Sequence, residues 1–440
     1  MDLPDNLLDI EDRILDAIKG RLTGLKPEER SELIRNLCYS IDPNLSKDEI
    51  KLIEEDIIDF GFVRPLLNDE HIEDIMINNT QNIFVYDNRT GNKKIGQRFK
   101  DQKELIRFIK KMEAYNTSEY NNGQILDIHL PNGSRANVVA SPLGYNVTIR
   151  NSKPKPFSIL DLVNYGELDY GLAAKLWMYT DGFNVRPANI LIGGMPASGK
   201  TTLLNAMFSF FRPEERIITI EETYELNTET HENCVRLETN NELRLVDLVK
   251  ASLRMRPDML IIGEVRGEEA IDMMTAMNIG KNCMATIHAS SARDVIKRLQ
   301  HAPMNVPYDI LPAIDAIVIV APTYDKGKMH RRIVQVAEIA GLEMNQVLLS
   351  DIYTFDYKTK KASLIMPGVT YRDLLSEVLG ITPQEFLEEE QVRAAILARC
   401  NELHKTDMKS ISDVVKAYYI DPYATIKELG MQGVEPVIVR

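Results

Sequence analysis

The chain has 440 residues, of which 44% are hydrophobic and 27% charged, and Lys+Arg 52 against Asp+Glu 65 gives a net charge of −13. That length exceeds what one core usually supports, so two or three domains of an ordinary soluble globular protein are expected. The acidic balance argues against loose electrostatic binding to nucleic acid or anionic lipid and leaves room only for a local basic channel. The four cysteines, Cys38, Cys234, Cys283 and Cys400, are far apart and form no C-x-x-C pair. Neither a zinc cluster nor a disulfide framework is indicated, which suits a reducing cytosol. The acidic start, Met1-Asp-Leu-Pro-Asp5, lacks the profile of a signal peptide. The longest apolar run, Ala313 to Ala321, is interrupted by Asp315 and falls far short of the ~20 residues that span a bilayer. Membrane contact is therefore expected only through a partner.

Residues 1–59 read as a helical extension, with Ile10, Ile14, Leu15 and Ile18 interleaved with charges. Residues 60–150 read as a mixed α/β domain. Strands are expected at 74–78, 82–86, 125–130, 136–140 and 146–150, and a helix from Lys103 to Tyr115. Residues 151–168 form the linker, because Pro154 and Pro156 break both helix and sheet. From 169 to 367 short apolar strands at 189–193, 216–221, 259–263, 283–287 and 315–321 alternate with helices at 200–211, 242–254, 267–279 and 291–301. That alternation predicts a mostly parallel sheet covered on both faces, closed by an antiparallel pair at 331–339 and 346–353. Residues 368–440 return to helical character as a C-terminal extension.

Gly194-Met-Pro-Ala-Ser-Gly199-Lys200-Thr201 matches G-x-x-x-x-G-K-[ST] in full, after an apolar strand and before a helix. Backbone N–H groups of such a turn converge on phosphate oxygens, and the helix adds its positive end. Ser198, Gly199, Thr202 and Gly194 belong to this cradle; Lys200 would reach the β and γ phosphates and the Thr201 hydroxyl would join a Mg²⁺ shell. ATP and Mg²⁺ are the expected cofactors. Hydrolysis also needs acids at neighbouring strand ends. Met259-Leu-Ile-Ile-Gly263-Glu264 fits a Walker B strand, with Glu264 on the metal shell or a water, and Ile220-Glu221-Glu222-Thr-Tyr-Glu225 offers a second cluster. His288 ends another strand, at the level expected of a γ-phosphate sensor. Arg254 and Arg256 precede the Glu264 strand, Arg266 follows it, and Arg135 and Arg150 lie in the preceding domain. Arginine forks bind phosphate bidentately, but periodicity does not reveal which of these five face nucleotide.

Taken together, Gly194 to Thr202, Ile220 to Leu226, Leu253 to Gly267 and Thr286 to Ala289, in this order, resemble the secretion ATPase superfamily. These are motors of type II and type IV secretion, pilus assembly and archaeal flagella, and the resemblance looks closest to the tight-adherence pilus branch or its archaeal relatives. Upstream, Gly61 to Asp69, Glu73 to Asn78 and Pro131 to Asn137 are similar to that family's N-terminal domain, so the likeness covers about residues 50 to 355.

It implies a RecA-like P-loop motor in a homohexameric ring, cytoplasmic and peripheral at the inner face of the membrane. The implied partners are a polytopic platform protein and a pilin or secreted substrate, with no nucleic acid. By the same resemblance Glu221 and Glu225 lie in the Asp box, Glu264 in Walker B and His288 in the His box. Arg135 and Arg150 match basic positions that approach nucleotide. Ala197 replaces a frequent P-loop glycine, Glu222 an aspartate, and Lys281 the first His of the His box; the tetracysteine module of general secretion is absent. Two other readings stay open at this point: a RecA-like nucleic-acid motor, and a nucleotide-gated scaffold with little turnover.

Overall fold

The first of the chain's units opens on helices. In this computed structural model, which describes residues 3–69, 71–87, 89–116, 125–151, 156–240, 242–325, 328–344, 346–359, 361–365 and 368–437, the chain opens with α1 (Asp5–Ile18), α2 (Pro27–Ile41) and α3 (Lys47–Ile58). Ser46 caps α3 by accepting from the Glu49 N–H, and the Glu49 carboxylate reaches back to the Ser46 N–H, which satisfies groups the helix end would leave bare. Apolar residues at helical spacing, among them Leu15, Ile34 and Ile53, join a small core of their own. A short α4 (Val63–Leu67) leads into β1 (Ile72–Ile77), β2 (Ile83–Asp87), β3 (Gly91–Lys94), α5 (Gln102–Glu113), β4 (Ile125–His129), β5 (Arg135–Ser141) and β6 (Gly144–Arg150). These strands form one antiparallel sheet in the order β3-β2-β1-β6-β5-β4. Leu105, Phe108, Ile109 and Met112 of α5 share a core with Ile75, Val85 and Ile149 of the sheet.

The chain divides into two compact units, Met1–Lys155 and Pro156–Arg440. Residues 152–155 of the expected linker lie outside the described residues. Its later part is not extended: α6 (Ile159–Asn164) starts at Ser158, whose side chain accepts from the Asp161 N–H, and Ile159, Leu160 and Leu162 are buried. The reason is visible in the residues, since three apolar side chains in four positions demand a core.

The second unit continues with α7 (Tyr170–Asp181), β7 (Ile190–Gly194), α8 (Lys200–Met207), β8 (Ile217–Glu221), β9 (Cys234–Glu238), α9 (Leu245–Ser252), β10 (Met259–Val265), α10 (Glu269–Asn278), β11 (Asn282–Ile287) and α11 (Ala292–Gln300). Then come β12 (Ala316–Asp325), β13 (Lys328–Glu343), β14 (Gln346–Asp356) and β15 (Lys361–Leu364). Six parallel strands run in the order β12-β7-β11-β10-β8-β9, and β13, β14 and β15 extend the β12 edge in antiparallel fashion. β7, β8 and nearly all of β10 and β11 are buried, as all-apolar parallel strands covered on both faces must be. The connection from β7 runs to β8 on one side, while β12 pairs on the other, so the loop after β7 sits at a topological switch point.

Four helices close the chain: α12 (Thr370–Leu379), α13 (Pro383–Glu402), α14 (Met408–Ile420) and α15 (Pro422–Glu428). They are not a separate appendage. Leu375, Ile396, Val415 and Tyr418 share one core with Trp177 of α7 and Ile192 of β7. Arg393 of α13 reaches Asp181 at 2.6 Å and Glu389 at 2.9 Å inside it.

Candidate functional site

Parallel strands bring their carboxyl ends to one edge, and four of them deliver the expected chemistry there. β7 ends in Gly194, β8 in Glu221, β10 carries Glu264, and His288 directly follows β11. A side chain on Gly194 would collide with the Ser198 Oγ and the Val320 carbonyl, so only glycine admits this close return of the loop. Ala197 and Gly199 both adopt the left-handed region, at φ 58 and φ 104. Lys200 opens α8 directly after Gly199 and is buried.

Its ammonium folds back over the loop. Lys200 Nζ donates to the carbonyls of Gly194 at 3.1 Å and Met195 at 3.3 Å, and lies 3.5 Å from His288 Nδ1. On the other side of the ring, His288 Nε2 is 2.5 Å from Glu264 Oε1. Burial and then the neighbouring Lys200 cation hold the imidazole below its usual pKa, against the pull of Glu264. A neutral ring that accepts from Lys200 at Nδ1 carries its proton on Nε2, the nitrogen that faces Glu264. Glu264 Oε2 meets Arg266 at 2.5 Å, and Arg266 also bonds Glu222 at 2.9 Å. Bonding to Glu264 raises the Arg266 pKa further. The result is one chain of contacts, Lys200 to His288 to Glu264 to Arg266 to Glu222.

Glu221 departs from its expected catalytic position. Its carboxylate is buried, and Oε1 accepts from the N–H groups of Glu225 at 2.9 Å and Leu226 at 3.0 Å, so it caps its own loop. Burial lifts its pKa to about 7. Oε2 has no hydrogen-bond partner. Glu225 is exposed and bears on Arg266 through space rather than by contact. Arg254 and Arg256 are not brought to this cluster within the chain. They precede β10, at its amino end, whereas Glu264 stands near its carboxyl end; a strand of that length separates the two by roughly 20 Å. Arg135 and Arg150 belong to the first unit, where they are register partners on β5 and β6. Arg135 also lies 3.6 Å from Asp127.

Two contributors were not anticipated. The buried Glu269 accepts from the N–H groups of Arg266 at 2.6 Å and Gly267 at 2.7 Å, and so holds the turn that aims Arg266. An acid two residues beyond Gly267, at the start of a helix, was the available signal. Arg331 of β13 donates from Nε to the Ala197 carbonyl at 3.0 Å, and nothing in the linear pattern joins those two positions.

The residues fit a phosphate. The Ser198 Oγ is buried without a hydrogen-bond partner, and the buried Lys200 stands at a helix amino terminus. Among the described residues no group of three or more His, Cys, Asp or Glu is placed to hold a metal. A hydroxyl and one carboxylate, as in Thr201 and Glu264, instead suit Mg²⁺, which keeps waters and takes substrate phosphate oxygens as ligands.

A parallel sheet with a glycine turn, a lysine at a helix start and strand-end acids defines the P-loop class of phosphate sites. Within that class the chain belongs to the type II/IV secretion system protein family, whose model matches residues 56–385. It is 29% identical over 411 residues to the uncharacterized protein MJ0900 of Methanocaldococcus jannaschii, covering 89% of this chain and 72% of that one. It is 28% identical over 289 residues to the probable conjugal transfer protein TrbB of Sinorhizobium fredii, covering 62% of this chain and 86% of that one. Among solved structures, the pilus retraction motor PilT with bound ADP aligns with a TM-score of 0.50 at 16% identity, over 85% of this chain and 97% of PilT. At that identity the likeness is one of fold. No helix among the described residues is long and apolar enough to cross a membrane.

Proposed function

We propose that this chain is a Mg²⁺-dependent ATPase with a RecA-like core that works as a homohexameric ring. It drives pilus or filament assembly, or protein secretion, through a polytopic membrane platform protein, from the cytoplasmic face of the membrane. The observation that carries this reading is the contact chain from Lys200 through His288 to Glu264 and Arg266, gathered where the phosphate cradle opens. Membership of the secretion family supports the same reading.

In it, Lys200, Ser198 and the N–H groups after Gly199 bind phosphate, with Thr201 and Thr202 at the helix start. Mg²⁺, held by Thr201 and Glu264, would neutralise phosphate charge. Glu264 orients the attacking water, His288 reports the γ phosphate to it by its double contact, and Arg266 fixes its other oxygen. Glu221 is assigned to holding the loop that carries Glu225. Arg135 and Arg150, register partners on β5 and β6, are proposed as nucleotide-contacting residues. Arg254 and Arg256 have no part in this single-chain site.

Phosphate release with Mg²⁺ and ATP, together with light scattering for the ring, tests the proposal. Glu264→Gln is expected to cut turnover at least about a hundredfold while nucleotide affinity measured without Mg²⁺ stays near that of the parent chain. A Glu264→Gln protein that hydrolyses at the parental rate would falsify the role given to Glu264.

A further inference from the structure

The P-loop is flanked by a second cation that no motif contains. Arg331 lies on β13, opposite Pro322 of β12 in the register, and β12 pairs directly with β7, the strand that launches the loop. This strand arrangement carries Arg331 to the outside of the glycine turn. Its Nε donates to the Ala197 carbonyl at 3.0 Å, and its Cδ lies 3.3 Å from where a Cβ on Gly199 would stand. The side chain therefore runs along the two left-handed residues of the turn, Ala197 and Gly199. Lys200 folds over the other part of the same turn, onto the carbonyls of Gly194 and Met195. Two cations thus bracket a turn of six residues in a chain whose net charge is −13.

We propose that Arg331 is a positioning residue of the phosphate site, acting as its second cation toward the phosphates of a nucleoside di- or triphosphate. The inference rests on the nucleotide-binding reading given above. A guanidinium presents five donors in one rigid plane. Fixing Nε on the Ala197 carbonyl sets that plane against the loop. The same bond holds the Ala197 carbonyl away from the side on which the N–H groups of Gly199 and Lys200 would meet phosphate, while the Ser198 N–H is taken up by the Met195 carbonyl. A lysine at this place would keep the charge but not the fork; a glutamine would keep a donor but not the charge.

The test uses the full chain and titrates a fluorescent ATP analogue, ADP and adenosine, each with Mg²⁺, into the parent, Arg331→Ala, Arg331→Gln and Arg331→Lys. Thermal melting confirms that each variant is folded. Arg331→Ala and Arg331→Gln are expected to weaken ATP and ADP about tenfold, the scale of one charge-assisted contact. Adenosine affinity should be unchanged, KM should rise with kcat within about twofold, and Arg331→Lys should recover most of the loss. Arg331→Gln binding ATP as tightly as the parent, or Arg331→Lys as weak as Arg331→Ala, would overturn the proposal. Should the alanine protein fail to fold, the Gln and Lys pair decides alone. A parent chain that binds no adenine nucleotide would instead overturn the nucleotide-binding reading, so the two failures are told apart.

Discussion

Ala197 shows how one residue of the loop can be wrong for its conformation and still be accommodated. At φ 58 it occupies the left-handed region, where a Cβ crowds the backbone at a cost of roughly 1–2 kcal/mol. A methyl group there fits in space, because Ala197 is exposed, so the expense is conformational rather than steric packing. The Arg331 bond to its carbonyl helps hold the strained geometry. Ala197→Gly is therefore expected to raise stability by about 1 kcal/mol, less the entropy glycine gains in the unfolded chain. Urea unfolding of the two proteins measures it. A glycine variant that is less stable by a similar amount would show that unfolded-state freedom outweighs the strain.

At the scale of elements, a strand end can be fastened by a side chain that its own loop needs. β8 is the clearest example, since Glu221 caps the turn that buries Leu226. Its folded pKa of about 7 stands above the ordinary carboxyl value of 4.5 because burial disfavours the charge. The folded protein then binds this proton more tightly than the unfolded chain does. The stabilisation is complete below about pH 4.5 and is lost as pH rises through about 7. Glu11 and Glu215 are shifted the same way, also by burial and also to about 7, so melting temperature should fall between pH 5 and pH 8. Glu221→Gln keeps an acceptor for both N–H groups and removes one titration. It should melt near the parent at pH 5 and above it at pH 8; equal gaps at both values would rule out Glu221 as a source of the slope.

The same scale explains what could be read from the residues. β7, β8, β10, β11 and β12 stand out as apolar runs because both faces of the sheet are covered, and the glycine turn stands out because its chemistry is local. β3, β9 and β15 escaped notice for the opposite reason: Gly91-Asn-Lys-Lys94, Cys234 to Glu238 and Lys361 to Leu364 are short edge strands, and edges carry charge instead of a core pattern. Arg254 and Arg256 looked close to Glu264 in the chain, but a parallel strand carries them to the far end of the sheet. Arg331 needed the β12–β13 pairing, a contact between distant positions that no window of sequence reports.

For the second unit as a whole, the buried ion network around Arg393 decides whether the C-terminal helices and the sheet unfold together. Arg393 is enclosed by Asp181 of α7 and Glu389 of its own helix, with its guanidinium 4.9 Å from the Trp177 ring centre. Glu389 also accepts from Tyr418 of α14 at 2.9 Å and from the Val437 N–H at 3.2 Å. One cation thus joins three helices across a shared core. Arg393→Met retains bulk but leaves two buried carboxylates facing each other, which costs about 3–5 kcal/mol. Adding Asp181→Asn and Glu389→Gln removes those charges and should restore much of the loss, a non-additivity that marks a network. If the network holds the unit together, circular dichroism and Trp177 fluorescence will lose their signals in one transition in every variant, shifted but not split. A helical transition at low denaturant that leaves the Trp177 environment intact would mean that α12 to α15 merely rest on the motor core, and the coupling drawn here through Arg393 would be wrong.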